Sequence, residues 1–163
     1  MHQVFLGLGS NLGNRHGLLA RACEEIEKLI GAVVRQSAFI ETEPWGFQSE
    51  YNFLNAVVWC QTELLPREVL WRTQFIERQL GRRQKSENGI YHDRPIDIDI
   101  LLYDHLTVNE PDLKIPHPLI TRRDFVMRPL LEILPPASSA SLPEIRAQLL
   151  GLRQYRASGY SQA

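Results

Sequence analysis

The sequence predicts an α+β fold: a ferredoxin-like split β-α-β core whose antiparallel sheet carries helices on both faces, a three-layer α-β-α order. Two observations carry this. Hydrophobic periods change along the chain in the order strand, helix, strand, strand, helix, strand, which is the order of that unit. Helical spacing then returns after the last strand, enough to cover the second face of the sheet. No repeat and no linker divides the 163 residues, so residues 1–163 read as one domain, with a frayed tail from about Arg153 to Ala163.

"QVFLGLGSN" reads as a buried strand from Gln3 to Leu8 that breaks at Gly9. The next segment places Leu18, Leu19, Ala22, Ile26, Leu29 and Ile30 on one helical face, with Asn14 as N-cap and Gly31 as stop. "AVVRQSAFIETE" is a second strand, "PWGFQSEYN" a loop and "FLNAVVWCQTEL" a third strand. Pro66 opens a second helix that ends at Gly81, and a polar, charged loop, "RRQKSENGIYHD", follows. Pro95 to Tyr103 form the fourth strand. A short strand is expected near Leu106 to Val108, then a helix "FVMRPLLEIL" interrupted at Pro129, and a last helix "SLPEIRAQLLGL".

Eighteen basic and 19 acidic residues give a net charge of -1, which argues against a nucleic-acid binder while leaving room for a local phosphate pocket. Cys23 and Cys60 lack a CxxC partner and read as buried thiols. No apolar run reaches the roughly 20 residues of a membrane span, and no signal-peptide pattern opens the chain. The expected setting is the cytoplasm, the expected state a monomer.

The most informative stretch is "DRPIDIDILLY". Alternation puts Asp97 and Asp99 on one strand face and Ile96, Ile98 and Ile100 on the other. The bland alternative is an edge strand with a solvated acidic face. Aspartate is disfavoured in strands, however, and a like pair about 7 Å apart repels. Two carboxylates beside phosphate donors suit magnesium bound to a polyphosphate. Arg82, Arg83, Lys85 and Arg94 flank this strand, with Arg122, Arg123 and Arg128 further on, either as a solvated basic face or as phosphate donors.

Phe53 and Asn55 share a strand face, a ring beside an amide, suited to a flat heterocycle. Trp45 and Phe47 alone read as loop anchors. His117, between two prolines, is structural or a hydrogen-bond donor to phosphate. "GLGSNLGN" has neither dinucleotide nor Walker spacing, and a strand-to-helix turn capped by Asn11 or Asn14 accounts for it.

Taken together, "GLGSN", "TEPWG", "FLNA", "QFIERQLGR", "DRPIDIDILLY" and "IPHP…RRDF" resemble the 6-hydroxymethyl-7,8-dihydropterin pyrophosphokinase family, from Gly7 to Pro135. The resemblance implies transfer of the β,γ-pyrophosphoryl group of ATP to the pterin's hydroxymethyl oxygen, with two magnesium ions on Asp97 and Asp99. It implies a pterin site at Thr42, Trp45, Gly46, Phe53, Asn55 and Phe125. It implies an ATP site at Gln74, Glu77, Arg82, Arg94, Ile100, His117 and Arg123, with Arg94 also catalytic beside the two aspartates. Tyr91 in place of a tryptophan and Pro118 in place of a tyrosine depart from the family pattern. Two rivals remain on the residues alone: another magnesium-dependent phosphoryl or nucleotidyl transferase, and a non-catalytic ligand-binding module.

Overall fold

The computed structural model describes residues 1–82 and 91–134. In chain order the elements are β1 (His2–Ser10), α1 (Arg15–Leu29), β2 (Ala32–Gln36), β3 (Ile40–Thr42), β4 (Phe53–Thr62) and α2 (Pro66–Gln79). They continue with β5 (Asp97–Tyr103), β6 (Val108–Glu110), β7 (Leu113–Ile115) and α3 (Asp124–Ile133). The main sheet runs β2-β4-β1-β5 with β3 also on β4, and every pairing is antiparallel. This is the split β-α-β arrangement expected from the order of periods.

Alternation along β1 divides the core in two. Val4, Leu6 and Leu8 meet Leu19, Ala22 and Ile26 of α1 and Val69 and Ile76 of α2 on one face. Phe5 points to the other, where Val126, Met127, Leu130 and Ile133 of α3 close over Val57, Trp59 and Leu102. Helices therefore cover both faces. On the α3 side, Gly7 and Gly9 follow Phe5 along the strand and put no side chain into the space above the sheet.

Four expectations change. The first strand does not break at Gly9 but runs through it to Ser10, paired there with β4. The second strand is two strands, β2 and β3, each on β4. At the break Ser37 donates its N–H to Val57 O at 2.9 Å, while its Oγ accepts from Val57 N–H at 2.9 Å and donates to Ala38 O. The short strand near Leu106 to Val108 is instead the hairpin β6–β7, tied to α2 by Arg67, which bonds Glu110 and Asp112. Pro129 does not interrupt α3. It lies on the buried stripe with Val126, Met127, Leu130 and Ile133, whose burial outweighs one missing hydrogen bond. The helix expected in "SLPEIRAQLLGL", the tail, Arg83 and Lys85 lie outside the described residues.

Asn14 is the N-cap of α1, accepting from Gly17 N–H at 3.1 Å. Among the described residues no helix is long and apolar enough to cross a membrane.

Candidate functional site

On the α3 face of the sheet lies a cavity, and register explains its floor. Gly9 of β1 pairs with Asn55 of β4 on one side and Asp97 of β5 on the other. Gly7 pairs in the same way with Val57 and Asp99. A flat strip of glycine backbone thus separates an amide wall from an acidic wall by two strand spacings, roughly 10 Å. A Cβ on Gly9 would come within 3.0 Å of Asn55 Oδ1 and 3.5 Å of the Phe53 ring. The same atom on Gly7 would press on Leu101 at 3.3 Å. Alternate glycines in a buried strand mark a close approach by something else.

Around this floor stand Thr42, Trp45, Phe53, Asn55, Arg94, Asp97, Asp99, His117, Arg123 and Phe125. The space between these side chains, counted together with its open mouth, is about 600 Å³. Asn55 donates from Nδ2 to Thr42 Oγ1 at 2.6 Å, so its Oδ1 is the atom turned toward Gly9. In this orientation the amide presents an acceptor to the cavity. Phe53 meets Phe47 edge-on with centroids 6.1 Å apart, so a loop anchor also braces the wall.

The acidic wall has its own counter-charges. Arg82 donates from Nη1 to Asp97 Oδ1 at 2.5 Å, and Arg94 Nε lies 3.5 Å from Asp97 Oδ2. Asp99 is half-buried one step further along β5. Among the described residues no three or more His, Cys, Asp or Glu side chains gather as a metal cage. A carboxylate pair alone, facing a cavity lined with cations, fits magnesium that arrives with phosphate oxygens supplying the rest of its shell.

Two guanidiniums ring the cavity. Arg94 lies 4.7 Å from the centroid of Phe53 and 5.7 Å from that of Tyr91. Arg123 lies 4.5 Å over Trp45 and 5.6 Å from Phe125, and donates to Tyr91 Oη at 3.3 Å. Both are buried, and among the described residues the Nε of each lacks a hydrogen-bond partner, as does that of Arg122. His117 accepts from Leu119 N–H through Nδ1 at 3.1 Å, so the neutral ring carries its proton on Nε2 and is a donor there.

Other expected residues stand off the cavity wall. Glu77 is 3% exposed; its Oε2 accepts from Ile98 N–H at 2.8 Å and from Arg82 Nη1 at 3.3 Å, which fastens α2 to β5. Ile100 packs in the helix-side core, and Gln74 is half-buried on α2. Gly46, at φ +85°, lets the Tyr91 ring approach to 3.2 Å of where a Cβ would stand, so it supports the Trp45–Tyr91 corner from behind. Sequence reasoning does not single out Gly7, Gly9 or Asn11 as site residues. Alternate glycines opposite Leu6 and Leu8 are the available signal for the first two.

A family model described as 7,8-dihydro-6-hydroxymethylpterin-pyrophosphokinase matches residues 5–135. The chain belongs to that family. It is 54% identical over 133 residues to the 2-amino-4-hydroxy-6-hydroxymethyldihydropteridine pyrophosphokinase of Porphyromonas gingivalis, covering 81% of this chain and 90% of that one. The Aquifex aeolicus pyrophosphokinase of the same name is 42% identical over 135 residues, 83% of this chain and 82% of that one. Among solved structures, wild-type HPPK-DHPS of Plasmodium falciparum superposes with a TM-score of 0.66 at 16% identity. That likeness speaks for the fold; it covers 95% of this chain, which spans 45% of the other's length.

Proposed function

We propose that this chain transfers the β,γ-pyrophosphoryl group of ATP to the hydroxymethyl oxygen of 6-hydroxymethyl-7,8-dihydropterin. The bond from the α,β-bridging oxygen to the β phosphorus breaks, a bond from the hydroxymethyl oxygen to that phosphorus forms, and the hydroxyl proton passes to solvent. AMP and the pterin diphosphate leave. The single observation that carries this is the glycine strip with Asn55 on one side and Asp97 and Asp99 on the other. A flat ring read by the amide then directs its side arm toward the carboxylates.

Phe53 and Phe125 would hold the ring, and Asn55 Oδ1, fixed by Thr42, would accept from its amide edge. Arg94, Arg123 and His117 Nε2 would donate to phosphate oxygens, a task for which buried guanidiniums lose little freedom. Two magnesium ions would be held by Asp97 and Asp99 together with the polyphosphate, and when bound they neutralise its charge and polarise the β phosphorus. The supporting geometry is that both carboxylates line the cavity that the guanidiniums rim. Arg82, which bonds Asp97, would hold that carboxylate from the nucleotide side. The chain is read as one catalytic unit over residues 1–163, a cytoplasmic monomer acting on small molecules.

Product analysis tests the reading. Purified chain, MgATP and the hydroxymethyl dihydropterin should yield AMP and pterin diphosphate in equal amounts. ADP as the nucleotide product would replace pyrophosphoryl with phosphoryl transfer, and no turnover would reject the enzyme.

A further inference from the structure

We propose that Asn11 is a positioning residue for Arg94. Asn11 stands just beyond β1 and is 2% exposed, and both ends of its side-chain amide are hydrogen-bonded. Its backbone N–H donates to Arg94 O at 3.1 Å, while its Oδ1 accepts from Arg94 N–H at 2.7 Å. One residue therefore grips both backbone polar groups of Arg94. The reason lies in the register: Gly9 pairs with Asp97, so the next rung of the ladder would fall at Pro95, which has no N–H to give. The amide of Asn11 stands in for the missing rung and shifts the pairing to Arg94.

The other half of the amide sets the height of the stretch. Nδ2 donates to Asp93 Oδ1 at 2.7 Å and to Tyr51 O at 3.2 Å. Three separate segments, the β1–α1 turn, the loop before β4 and residues 93–94, are thus joined at one side chain. From this anchored backbone the Arg94 side chain has a short, defined reach. Its Nε comes within 3.5 Å of Asp97, its guanidinium carbon lies 4.7 Å over Phe53, and Nη1 donates to His92 O at 2.8 Å. An error of about 1 Å in such a group costs rate steeply. Nothing else among the described residues bonds the Arg94 backbone in this way.

The inference rests on the reading of Arg94 as a donor to polyphosphate, and a double-mutant cycle separates the two. Single-turnover AMP formation from MgATP and the hydroxymethyl dihydropterin is measured for the unsubstituted chain, Asn11→Ala, Arg94→Ala and the double variant, with thermal melts of each. Asn11→Ala is expected to slow the step about tenfold alone and less than about twofold in the Arg94→Ala background. A loss of equal size in both backgrounds, which a purely structural residue would give, overturns the positioning role. So does an undiminished rate in Asn11→Ala. Where Asn11→Ala melts below the assay temperature, Asn11→Ser takes its place in the cycle, and the same two results support or overturn the role. Absence of AMP from the unsubstituted chain would sink the functional reading instead.

Discussion

Arg82 and Asp97 meet at 2.5 Å across 15 positions of sequence, and the same Nη1 of Arg82 also reaches Glu77 at 3.3 Å. The side chains of Arg82 and Glu77 are 4% and 3% exposed, so each offsets the burial of the other's charge. Removing one partner of such a pair is costly, because the charge that remains stays buried with its main counter-charge gone. Arg82→Ala should therefore lower unfolding free energy by roughly 3 kcal/mol, read from urea titration. A loss under about 1 kcal/mol would mean that the pair is screened like a surface bridge.

Gly9→Ala tests the floor. The backbone of Gly9 is ordinary strand, so the added methyl is a question of space alone, and it meets Asn55 Oδ1 at 3.0 Å. The amide must move from the position in which Thr42 holds it. Pterin binding should weaken about tenfold, while binding of an unreactive ATP analogue changes little. Calorimetric titration of both ligands checks this, and equal losses would place the ring elsewhere.

Alkaline pH bears on the fold through the two buried thiols and Tyr103. Burial pushes Cys23 up to about 11, Cys60 up to about 12 and Tyr103 up to about 12. For each, the folded state retains its proton where the unfolded chain has lost it. Their contribution to stability is thus complete below the ordinary values of 9.0 and 10.0 and is lost as pH rises from there toward about 12. Melting temperature should fall between about pH 9 and 11. Iodoacetamide at about pH 8 should modify neither cysteine until urea is added, as mass spectrometry would show. Rapid alkylation of the folded chain would contradict the burial.

What can be read in the sequence is local. Strand alternation alone puts Asp97 and Asp99 on one face, and likewise Phe53 with Asn55, because a period of two needs no partner. The meaning of Gly7 and Gly9 depends on which residues of β4 and β5 stand beside them, and register is a property of three strands. Asn11 reads as a helix cap, a local role that Asn14 in fact performs; its own bonds reach 40 and more positions away. Glu77 and Arg82 look like nucleotide ligands through family likeness, while burial shows what else their charges do. The β2–β3 break and the continuity of α3 through Pro129 turn on tertiary contacts that propensity does not carry.

The central claim is that the carboxylates of Asp97 and Asp99 carry the transfer. Its most direct test is single-turnover AMP formation by Asp97→Asn and Asp99→Asn, near-isosteric changes that remove charge, with each fold checked by circular dichroism. Both variants should be folded proteins in which AMP stays at the uncatalysed background across a magnesium titration. AMP formed by either variant at a rate close to that of the unsubstituted chain would contradict the claim.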